Sequence, residues 1–133
     1  MDFPNNPADG DTVRVAGQRY VATGGVWEKS NGEKPATVQA GVVDLTKGSV
    51  HVLTLSGTAV SVSVANPMPA GIYDEFLLEV VISAATTVTW PSSFKWDKGT
   101  PPVLPSSGRA IFAGYTRDGG ARYEMVTVSS DSK

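Results

Sequence analysis

An all-β fold, an antiparallel sandwich or jelly-roll-like domain preceded by a small three-stranded meander, is predicted for this chain by three observations. Apolar residues recur with period two rather than the ~3.6 of a helix, the segments so patterned are rich in valine and threonine, and Gly, Pro, Asn and Asp punctuate them. At 133 residues with 41% hydrophobic content, the chain has the size of one compact domain plus a small appendage.

In chain order, "TVRVAGQRYVATGGVWE" reads as three short strands with turns at "AGQ" and "TGG", because glycine supplies the positive φ of tight hairpins. The stretch "KSNGEKP", residues 29–35, has no hydrophobic residue and reads as a linker. This divides the chain into an N-terminal meander with linker, 1–34, and a sandwich domain, 35–133. In the second part strands are expected at "VQAGVVDL", "VHVLTL", "AVSVSV", "EFLLEVVI", "TTVTW", "RAIFAGYT" and "ARYEMVTV", a density of short strands typical of sandwiches and jelly rolls. Asp118-Gly119-Gly120 in "TRDGGAR" is a hairpin turn between the strands carrying Tyr115 and Tyr123.

Alternation assigns faces. Val60, Val62 and Val64 share a core side, opposite Ala59, Ser61 and Ser63. In "EFLLEVVI", Phe76, Leu78, Val80 and Ile82 form one face, yet Leu77 and Val81 join Glu75 and Glu79 on the other. That strand is expected to be central, its second face partly covered by the meander or by another subunit. Exposed apolar patches usually mark contacts, so Leu77 and Val81 predict a homo-oligomer.

Composition argues against several chemistries. A net charge of −2, with the eleven basic residues scattered, does not suit phosphate-backbone binding, so no nucleic-acid partner is expected. No apolar run approaches a membrane span, and "MDFPNNPADGD" lacks the features of a signal peptide, so a soluble chain is expected. The chain contains no cysteine, hence no disulfide, thiolate ligand or thiol nucleophile. His51 is the single histidine and shares a strand face with Leu53 and Leu55, which reads as structural. Asp9 and Asp11 flank Gly10 as turn formers rather than as a calcium loop. Asp74, Glu75 and Glu79 make no convincing glycosidase pair, and "ATGGVW" and "RDGGAR" open no helix that could cradle phosphate. No catalytic residue, metal or cofactor is assigned, and no enzymatic activity is expected.

The stretch "TTVTWPSSFKWDKGTPP" holds Trp90, Phe94 and Trp96, which form a sugar-stacking platform, a packing plug or a contact with a neighbouring subunit. Pro91 interrupts a central strand, so a bend at "PSS" should fold the rings inward, and packing is the expected role. The "DKGTPPVLPSSG" stretch that follows should be a stiff surface loop, with Lys98, Thr100 and Ser106 displayed for contact.

Taken in order, "VVDLTKGSVHVLTLSGTAVSVSVANPMPAG", "VTWPSSFKWDKGTPPVL" and "RAIFAGYTRDGGARYEMV" resemble a domain recurrent in structural proteins of tailed bacteriophages, over roughly residues 38–127. The opening "FPNNPADGDTVRVAGQRYVATGGVWEK" looks like a second phage element, a meander that often precedes fibre-type domains, carried here by Pro4, Pro7, Gly10, Tyr20 and Trp27. The final hairpin departs from the pattern, with "ARYEMV" where a Trp-Tyr pair is common. The resemblance implies a non-enzymatic virion protein of tail-fibre or tail-tip type, made in the host cytoplasm and assembled on the particle surface. A capsid decoration or head-fibre protein is the alternative, and a carbohydrate-binding module the third reading. The implied partners are two further copies in a homotrimer, other virion proteins, and a host cell-surface glycan as a further candidate. Phe3, Pro4, Tyr20 and Trp27 would then serve virion attachment. Removal of residues 1–34 is expected to leave 37–128 folded but unable to join particles.

Overall fold

The computed structural model describes residues 3–15, 18–29 and 34–133. Ala16 and Gly17 of the first meander turn, and residues 30–33 of the linker, lie outside the described residues.

The meander forms as an antiparallel sheet of β1 (Thr12–Val15), β2 (Gln18–Thr23) and β3 (Val26–Lys29), in that order. Gly24 and Gly25, both at positive φ, close the β2–β3 hairpin as "TGG" predicts.

The body is all-β. Its main sheet has six strands in the order β11-β13-β12-β9-β6-β4. These are β4 (Ala36–Thr37), β6 (Val50–Ser56), β9 (Asp74–Ala84), β11 (Phe94–Lys95), β12 (Gly108–Thr116) and β13 (Tyr123–Ser132). Two short pairs, β5 (Val42–Asp44) with β8 (Ser63–Ala65) and β7 (Val60–Ser61) with β10 (Val88–Thr89), pack against its inner face. The core lies between them, made of Val43 and Val62 on one side and Leu53, Leu55, Phe76, Leu78, Val80, Ile82, Phe112 and Met125 on the other. A two-layer sandwich results, as alternation predicts.

Strand pairing is mixed where an antiparallel sandwich was expected. Among the described residues β12 pairs antiparallel with β9 and β13, but β6–β9, β4–β6, β5–β8, β7–β10 and β11–β13 are parallel. The cause is the path of the chain: it leaves the main sheet after β6, runs through β7 and β8 in the second layer, and returns as β9 beside β6 in the same direction. Parallel neighbours need a connection of about a dozen residues or more, and here strands of the opposite layer supply it in place of a helix. The middle of the chain is therefore wound as a coil.

Two expected strands are broken to allow this winding. "VQAGVVDL" turns at Ala40-Gly41, where the Val42 N–H donates to the Gln39 carbonyl at 3.0 Å and both turn residues have positive φ. A Cβ on Gly41 would lie 2.0 Å from the Ser61 carbonyl oxygen, so only glycine lets the two layers approach here. Past Asp44 the chain makes a 3-10 turn, Leu45–Lys47. Asp44 caps that turn: burial raises its pKa, but hydrogen bonds from Thr46 and Asn66 outweigh burial and hold it below its usual value. "AVSVSV" is divided at Val62, β7 pairing with β10 and β8 with β5. Its valines still face the core, Val62 fully and Val60 and Val64 partly.

Candidate functional site

The bend predicted in "TTVTWPSSFKWDKGTPP" is closed by a hydrogen bond from the Phe94 N–H to the Pro91 carbonyl at 3.0 Å. It sets both tryptophans against Phe112: Trp96 lies 5.4 Å from both Trp90 and Phe112, and Phe94 packs 6.0 Å from each tryptophan. Phe94 and Trp96 belong to the core, and Trp90 is half-buried against it. The rings thus pack mainly on one another and on the core, with Trp90 the most exposed of the three. After them Lys98, Thr100 and Ser106 are exposed on an irregular segment with one short 3-10 turn, Asp97–Gly99.

The meander brings the residues of the expected attachment element together. Phe3 meets Tyr20 edge-on at 4.9 Å and stacks on Trp27 at 6.0 Å, and the Trp27 indole N–H donates to the Pro4 carbonyl at 3.1 Å. Asp9 and Asp11 accept the backbone N–H groups of Gly24 and Ala8, each at 2.9 Å, and so serve turns. A cleft of about 670 Å³ lies between this cluster and the body, lined by Trp27, Lys34, Gln39, Asp44 and Lys47 among others. At its side Arg14 of β1 reaches Asp74 at the start of β9, forming an ion pair at 2.5 Å. Asp74 is 1% exposed and also accepts the Met68 N–H at 2.9 Å.

The other titratable groups hold structural contacts. His51 is buried, its Nε2 2.9 Å from the Gly48 carbonyl; since a carbonyl can only accept, that nitrogen carries the proton. Glu79 pairs with Arg109 at 2.9 Å, and Glu75 accepts the Tyr73 hydroxyl at 3.3 Å. Among the described residues no three His, Cys, Asp or Glu side chains gather as metal ligands.

Tyr123 is the most perturbed tyrosine. Burial, followed by the nearby Asp74 and Asp118 carboxylates, raises its pKa to about 12 from 10.0. Below about pH 10 both states keep the proton; above it the unfolded chain releases its proton while the folded chain holds on until about pH 12. Stability is therefore expected to fall across that window. Tyr123→Phe should remove this part of the alkaline loss in denaturant titrations at successive pH values, and an unchanged alkaline limb would contradict the assignment.

The outer face of the main sheet is where Leu77 and Val81 lie. β9 is central, and both residues are half-buried. β1 of the meander packs against the 3-10 turn at Leu45–Lys47 and reaches the start of β9 through Arg14. Register aligns Val50, Leu77, Ala113 and Val126 in one row across four strands. Val126 and Val128 on β13 are more than half exposed. Beyond the β11 contact at Tyr123 and Glu124, no described strand pairs with the outer edge of β13.

One feature at the end of this face was not predicted. Tyr73 and Tyr115 stack with ring centroids 5.1 Å apart and planes 26° from parallel, and Tyr73 is 54% exposed. The alternation contained the signal: counting back by two from Leu77 through Glu75 reaches Tyr73, and Tyr115 pairs with Glu75 in register. Beside Tyr115 is a depression of about 450 Å³ at the β12–β13 turn, lined also by Arg117, Asp118, Arg122 and Glu124.

Comparison with protein-family models, curated proteins and solved structures finds no match to this chain.

Proposed function

We propose that this chain is a structural protein of a tailed-bacteriophage virion, of tail-fibre or tail-tip type, that acts without catalysis by attaching to the particle and presenting a surface to the host. The sequence resemblance motivates the reading. The observation that carries it is the outer sheet face, whose row Val50-Leu77-Ala113-Val126 is apolar across four strands, half-buried at its first three positions and exposed at Val126. Such a face suits a protein that meets copies of itself, and the resemblance favours three. The aromatic cluster of Phe3, Tyr20 and Trp27 is the proposed contact with the particle. The exposed Lys98, Thr100 and Ser106 belong to the displayed end.

Two measurements test this. Native mass spectrometry at micromolar concentration is expected to give a trimer that Leu77→Glu converts to monomer; a monomeric parent chain would remove the assembly reading. Gold-labelled antibody against the chain is expected to mark phage tails. Label on heads would transfer the protein to capsid decoration, and unlabelled particles that lack the chain would end the virion reading. The stacked tyrosines favour a second reading, a carbohydrate-binding module outside any virion.

A further inference from the structure

We infer that the Tyr73–Tyr115 shelf and the depression beside it form a binding site for a neutral saccharide. In biological setting this rests on the display reading above, but as chemistry it stands on the site alone. The two rings are nearly parallel and stacked on each other, so they offer a flat outer face rather than an enclosure. A flat aromatic face suits the apolar C–H face of a pyranose; a quaternary ammonium would want several ring faces converging on one point.

The polar rim supplies the second half of the argument. Glu75, Asp118 and Glu124 stand with Arg117 and Arg122 around the rings. Arg122 pairs with Glu124, so opposite charges alternate over a short distance. A phosphate would meet the carboxylates, and a polycation the guanidiniums. A polyhydroxylated neutral ligand escapes both conflicts, because each hydroxyl can donate to a carboxylate and accept from a guanidinium. The Arg117 guanidinium has no hydrogen-bond or ion-pair partner among the described residues, which leaves it available to a ligand. The depression falls within the ~300–1,000 Å³ range usual for small-molecule sites.

The rim is also held in place before any ligand arrives. The Thr116 hydroxyl donates to Asp118 Oδ1 at 2.9 Å and accepts the Gly120 N–H at 3.1 Å. Asp118 Oδ1 accepts the Arg122 N–H at 3.0 Å, and the Gly71 N–H donates to the Arg117 carbonyl at 2.8 Å. Fixing the turn in this way reduces the ordering cost of binding.

Short neutral oligosaccharides of glucose, galactose, mannose and N-acetylglucosamine, titrated into the full chain and followed by ligand-observed NMR, test the site. At least one is expected to bind at millimolar concentration or tighter. Tyr73→Ala should weaken that binding by about two- to tenfold, the factor that loss of one stacking partner accounts for. Arg117→Ala should weaken it as well. Both residues are exposed, so melting temperature and native mass should stay unchanged. The inference is overturned if no member of the panel binds at about 10 mM, or if Tyr73→Ala binds as the parent does. It is equally overturned if Trp27→Ala abolishes binding while Tyr73→Ala does not, which would place the sugar in the N-terminal cleft. None of these results depends on where antibody falls on a particle, so this inference and the virion reading can fail separately.

Discussion

Trp96→Ala is expected to lower the unfolding free energy by about 3–5 kcal/mol, a large part of the stability of a domain this size. Trp96 is 9% exposed and contacts Trp90, Phe94 and Phe112, so truncation opens a cavity among rings that cannot close it by small movements. Phe94 is also tied to Tyr123 through parallel pairing of β11 with β13, which anchors the bend at the edge of the main sheet. Loss of Trp96 should therefore loosen β11 as well as the core. Urea titration followed by circular dichroism reads the cost. A loss under about 1 kcal/mol would mean that the ring is not a packing element.

The contrast with Tyr73 makes the result informative. An exposed ring that binds ligand should behave oppositely when truncated, with stability kept and affinity lost. Tyr73 lies more than half in solvent, and Trp96 is almost wholly out of it. Both aromatic pairs were equally visible as letters in the chain, and only their positions in the sheet separate a plug from a shelf.

That difference shows what sequence reading reaches here. Period-two alternation identifies β9 as central, and it puts Phe76, Leu78, Val80 and Ile82 inward because side-chain direction is a local property of a strand. It does not tell which strand lies alongside. Whether β6 and β9 run parallel depends on the chain crossing to the second layer between them, and nothing in "VHVLTL" or "EFLLEVVI" records that crossing. The breaks at Ala40-Gly41 and at Val62 are hidden for the same reason: each marks a place where a segment changes neighbour without changing its alternation. The shelf was within reach, since Tyr73 and Tyr115 have the parity of the outer face. The Arg14–Asp74 pair was half within reach. Asp74 shares parity with Phe76, which puts a carboxylate on the core side and calls for a cation, but the cation comes from the separate N-terminal sheet.

Arg14→Ala is accordingly expected to cost about 3–5 kcal/mol, an effect comparable to that of Trp96→Ala. A buried ion pair contributes little over a well-packed apolar pair, yet removal of one partner alone leaves a charge without compensation in a poor solvent for it. Asp74 would keep only the Met68 N–H at 2.9 Å. A second substitution distinguishes this from ordinary loss of contacts. If the uncompensated carboxylate is the cause, Arg14→Ala combined with Asp74→Asn should be more stable than Arg14→Ala alone, and a double-mutant cycle should return a large coupling. Additive effects, or an Arg14→Ala cost within about 0.5 kcal/mol, would show that water reaches Asp74 freely and that the pair is peripheral. The same pair bears on the meander as a detachable arm. Removing residues 1–34 also removes Arg14, so the remaining body should be destabilised, and Asp74→Asn should recover part of that loss in the truncated chain. A truncated chain as stable as the parent would restore the meander to the status of a simple appendage, its Arg14 no more than a surface contact to the sheet it lies beside.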